Sequence, residues 1–273
     1  MRPVSRTRAH FKETRVDRTV LVEINDRVAT VTLNRPDTSN ALTLELAREL
    51  LAVALRCEAD ANVRAVMLTG AGKHFCFGGD LRAMREQGEG AGAYINELTT
   101  HLHAAISAFA RMRAPVIAAV NGTAAGAGVG LVCAADLALC GRGSKFSLAY
   151  TGVGLAPDGS TSFLLPRIVG HRRAMELMLL NRVLGGEEAM AWGLVNQVVE
   201  DAEIAAQARA LATRLATGPT EAYAAVKRLV LAAQPGLEAQ MALEGRTIAA
   251  LSLHPHGREG IAAFIDKRKA SFS

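Results

Sequence analysis

The chain has 273 residues, half of them hydrophobic and 21% charged, with a formal net charge of +5. That length and apolar content fill a complete core and exclude a largely disordered chain. Aromatic residues make up only 4%, too few for base-stacking platforms, so the basic balance fits a phosphate-bearing small ligand better than nucleic acid or an anionic lipid surface. The four cysteines, Cys57, Cys76, Cys133 and Cys140, form neither a C-x-x-C pair nor a compact cluster with histidine. They point to a reducing, cytoplasmic compartment without a metal site. No apolar run is long enough to span a bilayer. Residues 1–17 are Arg-rich, carry Glu13 and Asp17, and lack the apolar centre of a signal peptide, so they read as a mobile arm.

Strand and helix signals then alternate. "TVLVEIN" and "RVATVTLN" read as paired strands around a turn at Asn25 and Asp26,. "TLELARELLAVALRCEAD" places Leu44, Leu46, Leu50, Leu51 and Leu55 on one helical face,. "VRAVMLTG" is a buried strand. "APVIAAVNG" is another, after a long helix ending near Arg113, and "AADLALC" and "KFSL" continue the series. Such alternation predicts an α/β fold with helices covering a sheet. From about residue 202 four successive segments read as helices with Ala-rich faces. The organisation expected is a core over 18–201 and a helical subdomain over 202–273 whose spare apolar surface makes subunit contacts.

Two glycine-rich stretches stand out. In "GKHFCFGGDLRAM" a strand ends and a helix opens at Asp80 and Leu81. Asp80 there reads as an N-cap, while Gly78 and Gly79 open the backbone to a ligand. In "AAVNGTAAGAGVGLVCAADLAL" a buried strand runs through small residues into a buried helix. It has neither the Lys-Ser/Thr of a P-loop nor the acidic ribose ligand of a dinucleotide site. The small residues serve either tight helix packing or the exposure of N–H groups to an anion. Two N–H donors from the two stretches, converging on one oxygen, make an oxyanion hole. A third stretch, "GVGLAPDGSTSFLLPRIVG", holds one acidic group, Asp158. Pro157 and Gly159 beside it favour a turn. Val153, Leu155, Ala156, Phe163 and Leu164 would instead wall it in as a lone proton carrier.

Taken together, "VTLNRPDTSNALT", "KHFCFGGDL", "RAPVIAAVNGTAAGAGVGLVCAADLAL", "APDGSTSFLLPRIVG", "AMAWGLVNQVV" and "REGIAAFIDKRKASF" resemble the crotonase (enoyl-CoA hydratase/isomerase) superfamily from about Val20 to the C-terminus. The resemblance implies a spiral of ββα repeats and a helical trimerisation region, giving a homotrimer or a dimer of trimers. It implies an acyl-CoA thioester substrate, with coenzyme A part of that substrate and no separate cofactor. It places the oxyanion donors on Gly79 and Ala127, and CoA contacts on Arg35, Phe77, Gly79, Asp80, Leu81, Arg82 and Lys267. The two glutamates of the family's hydratases fall on Gly130 and Tyr150, which speaks against hydration. Asp158 matches the acidic residue of the enoyl-CoA isomerases and the ring-epoxide phenylacetyl-CoA isomerase branch. A further likeness, to the 4-chlorobenzoyl-CoA dehalogenases, makes Asp158 a nucleophile and puts a water-activating histidine on His103. His103 reads equally as a bystander in "THLHAAISAFARMR". A non-catalytic CoA or RNA binder is the reading from outside enzymology.

Overall fold

The computed structural model describes residues 18–232 and 236–272; the arm expected over 1–17 lies outside them. The chain begins with β1 (Val20–Asn25) and β2 (Val28–Leu33), then α1 (Leu44–Ala59) and β3 (Ala65–Gly70). There follow α2 (Leu81–Glu86), α3 (Ala91–Arg111), β4 (Val116–Val120), β5 (Ala124–Ala125), α4 (Ala127–Ala134), β6 (Leu137–Gly141) and β7 (Lys145–Ser147). Next come α5 (Thr161–Val169), α6 (His171–Leu180), β8 (Leu184–Gly185), α7 (Gly186–Ala191) and β9 (Gln197–Val199). The chain closes with α8 (Ile204–Ala216), α9 (Thr220–Ala232), α10 (Leu237–Leu253) and α11 (Pro255–Ile265).

The main sheet runs β1-β2-β3-β4-β6-β9, and β5-β7-β8 form a smaller one. β1 and β2 are an antiparallel hairpin, with Asn25 opposite Val28. Its loop is Asp26 and Arg27, one residue later than the sequence suggests, and both have positive φ (49° and 66°). Two such residues form the turn whose twist matches that of the strands. From β2 onward every pairing in the main sheet is parallel.

Alternate side chains of the parallel strands feed two cores. Val66, Leu68, Ala118 and Val120 face a cluster that includes Leu46 and Leu50 of α1 and Leu102 and Phe109 of α3. Ala65, Met67, Ile117 and Ala119 face Ile204, Ala208, Ala212 and Ala216 of α8. The i, i+4, i+8 spacing on α8 makes a narrow stripe of small side chains that lets the helix lie close to the sheet. α8 therefore covers the sheet, while α9, α10 and α11 pack on one another. A break at residues 87–90 divides the long helix expected before β4 into α2 and α3. His254 caps α11 by accepting the His256 N–H (3.2 Å), with Pro255 as the first helical residue.

Parallel strands deliver their connections at one edge, and the C-terminal ends of β3 and β4 are where such sheets place ligands. The loop after β3 (71–80) and the segment after β4 (121–126) meet there through the bridge between Cys76 and Ala124.

Candidate active site

The first expected oxyanion donor is fixed by a strand-like contact. The Leu42 N–H donates to the Gly78 carbonyl (2.7 Å), and the Asp80 N–H donates to the Leu42 carbonyl (3.0 Å). In this parallel bridge between Leu42 and Gly79, the flanking residues supply the bonds. The N–H of Gly79 itself therefore points away from residue 42. Gly79 is half-buried.

The second donor opens α4. Gly126 takes φ +52° and ψ −125°, a conformation that essentially only glycine adopts. It turns the chain so that Ala127 is the first residue of the helix, where an N–H has no intrahelical acceptor. The helix dipole adds partial positive charge at that point. The missing β-carbons bring the two glycine-rich stretches together. One at Gly128 would stand 2.3 Å from the Cys76 carbonyl oxygen, and one at Gly78 would stand 3.0 Å from the Ala127 nitrogen. Among the described residues neither the Gly79 nor the Ala127 N–H has a protein acceptor. Both glycine-rich stretches thus serve tight packing while leaving an N–H group without a protein acceptor.

Asp158 and His103 meet. His103 Nε2 lies 2.7 Å from Asp158 Oδ1, across 55 positions of sequence. His103 stands on α3 outside the inward stripe of Leu98, Leu102, Ala105, Ile106 and Phe109, which leaves its side chain half exposed. The backbone of Asp158 is pinned. Its carbonyl accepts from the Thr161 hydroxyl (2.7 Å), the Thr161 N–H (3.3 Å) and the Tyr150 hydroxyl (3.2 Å). Tyr150 donates to this carbonyl and not to the carboxylate. Burial, then the nearby Asp158 charge, push the Tyr150 phenol well above its ordinary value. It stays protonated and keeps donating.

The two positions where hydratases carry glutamates now have a structural use. A β-carbon at Gly130 would stand 2.0 Å from the Gly159 carbonyl oxygen. The Asp158–Gly159 turn fills the space a side chain there would need, and Tyr150 holds the same turn from the other side. The apolar wall expected around Asp158 is open. Val153, Leu155, Ala156 and Phe163 are exposed, and only Leu164 is half-buried.

The residues expected to line CoA divide. The Arg35 guanidinium pairs with Asp80 (3.1 Å) and donates to the Ala41 carbonyl. Asp80 caps α2, accepting from the N–H groups of Arg82 and Ala83. Phe77 and Leu81 expose apolar surface at the same rim, and the Phe77 ring lies 4.6 Å from that of His74. Lys267 is exposed just after α11, its N–H on the Phe264 carbonyl (3.3 Å), and among the described residues no hydrogen bond joins it to the loop after β3.

Asn40 carries no signal in the sequence that sets it apart from a turn residue. Its side chain bonds to Arg35, Ala71 and His74. An asparagine before a helix reads as a turn residue, and its partners lie up to 34 positions away. The cysteines are buried, and burial pushes Cys76 and Cys133 up to about 12, so neither is a thiolate nucleophile at neutral pH.

The arrangement is thus a carboxylate held by a histidine, in a turn whose Gly159 lies against Ala127, with the N–H groups of Ala127 and Gly79 left without a protein acceptor among the described residues. A donor of this kind, placed where negative charge develops, is worth about 3 kcal/mol in the transition state.

The family profile described as enoyl-CoA hydratase/isomerase matches residues 23–273. The chain is 39% identical over 259 residues to a Rhodobacter capsulatus protein named a probable enoyl-CoA hydratase, covering 93% of this chain and 98% of the relative. It is 36% identical to the 1,2-epoxyphenylacetyl-CoA isomerase of Escherichia coli over 93% of this chain and 98% of that protein. It is 38% identical to 4-chlorobenzoyl coenzyme A dehalogenase-2 of an Arthrobacter species, over 93% of each chain. Among solved structures, an enoyl-CoA hydratase from Polaromonas sp. JS666 superposes with a TM-score of 0.89 at 30% identity, covering 93% of this chain and 99% of that one.

Proposed function

Because this chain belongs to the enoyl-CoA hydratase/isomerase family, the crotonases, we propose that it is an acyl-CoA-processing enzyme that shifts the double bond of an enoyl-CoA, with Asp158 as acid and base. The observation that carries this reading is the seating of the Asp158–Gly159 turn against Gly130. It leaves one acting carboxylate at a site where hydration uses two.

In this reading the thioester carbonyl accepts from the N–H groups of Gly79 and Ala127. Asp158 removes a proton from C2, and the electron pair moves onto the thioester oxygen as a dienolate. The protonated Asp158 then returns the proton at C4, leaving the conjugated 2-enoyl thioester. His103 occupies Oδ1, so the other carboxylate oxygen carries the proton. Arg35, Phe77, Asp80, Leu81 and Arg82 surround the CoA portion, which is the only cofactor-like group the reaction uses. Lys267 reaches a phosphate only from a neighbouring copy.

Incubating the protein with a 3-enoyl-CoA and following the absorbance of the conjugated product tests the reading. The expected result is turnover that Asp158→Asn abolishes. No turnover of any 3-enoyl-CoA, or equal turnover by the variant, overturns it.

The contact at 2.7 Å between His103 and Asp158 favours a second reading, in line with the similarity to the Arthrobacter dehalogenase. Asp158 attacks an aryl carbon of the thioester substrate, chloride leaves, and water activated by His103 hydrolyses the resulting ester. A single turnover in heavy-oxygen water then leaves one label in Asp158, and an unlabelled aspartate excludes this route. A protein that only binds would keep its affinity in Asp158→Asn and turn over nothing.

A further inference from the structure

The loop after β3 carries the Gly79 donor; Thr123 and Ala125 bond its middle at Phe75 and Cys76, while residues 35–42 bond the end that carries Gly79. The Phe77 N–H donates to the Ser39 carbonyl (3.1 Å), Leu42 bridges Gly79, and Arg35 pairs with Asp80. Residues 35–42 are in turn gathered around one side chain. Asn40 is fully buried and sits at φ +56°, a left-handed conformation that asparagine tolerates better than most residues. Its amide oxygen accepts the Arg35 N–H (2.8 Å). Its amide nitrogen donates to the Ala71 carbonyl (2.9 Å) and the His74 carbonyl (2.8 Å). Its own N–H returns to the Arg35 carbonyl (2.8 Å). Gly70 makes room for this amide, since a β-carbon there would stand 2.7 Å from Asn40 Nδ2.

We infer that Asn40 is the positioning residue of the first oxyanion donor. Its amide closes the start of the loop onto residues 35–42, and those residues set the direction of the Gly79 N–H at the loop's end. The inference rests on the proposed oxyanion hole. It adds the claim that aim at the thioester oxygen is set by a buried amide that does not touch the substrate. The side-chain chemistry is specific: two carbonyls must receive donors while one N–H must find an acceptor, and only an amide offers both. Aspartate would accept from Arg35 yet face the Ala71 and His74 carbonyls with negative charge.

The test is spectroscopic. Cinnamoyl-CoA carries a chromophore conjugated to its thioester, and two N–H donors on that oxygen polarise it and move its absorbance to longer wavelength. Wild-type protein is expected to show the shift. Asn40→Gly, which suits the left-handed backbone, and Asn40→Asp are expected to bind cinnamoyl-CoA through its CoA portion but to lose most of the shift. Turnover should fall about a hundredfold, in the range for loss of one oxyanion donor, with KM little changed. A folded variant that keeps the full shift overturns the inference. So does failure of both variants to fold, because Asn40 would then serve the whole fold and not the donor. A wild-type protein that binds cinnamoyl-CoA with no shift overturns the oxyanion reading itself, and so fails distinguishably.

Discussion

Asp80 shows how much one side chain does at the rim of this site. Burial pushes its carboxyl up, but the Ala83 N–H, the Arg35 guanidinium and the Arg82 N–H outweigh that and hold it below its ordinary 3.8. A carboxylate depressed in this way stabilises the fold above its unfolded value, and the contribution disappears as pH falls through the folded value. Asp80→Asn keeps a good N-cap and loses the charge. It should therefore be less stable than wild type near pH 7 by about 1 kcal/mol. The gap should close as the pH drops below about 4, the ordinary carboxylate range. Urea unfolding across pH measures this, and a gap that stays constant down to pH 2 would refute it. The capping role was legible in the sequence, because an aspartate after glycines and before a helical run has few other uses. The partnership of His103 with Asp158 was legible only through the dehalogenase likeness. It joins a helix face to a turn 55 residues on, and only the packing of α3 decides which way that histidine looks. Asn40 was hidden for the same reason, with the carbonyls that need it supplied by a distant loop.

At the level of elements, α9 holds the end of the helix that presents His103. Lys227 Nζ donates to the carbonyls of Phe109 (3.1 Å) and Ala114 (3.0 Å) and pairs with Asp136 (2.7 Å). Phe109 lies in the last turns of α3, where a cation also answers the helix dipole. Burial pulls the lysine down and pushes the aspartate up, while their mutual attraction opposes both shifts. Lys227→Met fills the volume but leaves the Phe109 and Ala114 carbonyls without this donor and Asp136, still bonded by the Val116 N–H, without its cation. A loss of about 2–3 kcal/mol is expected, measured as a fall in unfolding free energy. An unchanged midpoint would show that α3 is secured elsewhere. The strands of the main sheet were readable because each is a short apolar run between turn signals. The division of α2 from α3 was not marked by proline; residues 87–90 carry two glycines among charged neighbours, a weaker signal. The open wall around Asp158 was misread because apolar residues near a carboxylate suggest enclosure, whereas Val153, Leu155 and Phe163 face outward from this chain.

For the whole molecule, apolar surface is concentrated on α9–α11. Val230, Ile248, Leu253 and Ile265 are all largely exposed, and Phe264 is 86% exposed. Monomeric proteins rarely leave such faces in water. Three or six copies of the 28.8 kDa chain are the expected particle, measurable by sedimentation equilibrium. A single-copy mass at micromolar concentration would rule this out. Among the described residues no helix is long and apolar enough to cross a membrane.

The contact between Gly130 and the Gly159 carbonyl bears on how this protein could change its chemistry over time. A carboxylate cannot enter at position 130 while the turn at 158–160 keeps its course, and the turn cannot withdraw without taking Asp158 from His103. The two positions are therefore epistatic. On the proposed reading, a carboxylate at 130 alone displaces the turn that carries Asp158, so a route toward two-carboxylate chemistry requires the turn to be rebuilt first. That steric interlock ties residue 130 to the turn at 158–160, whatever happens to the acyl pocket.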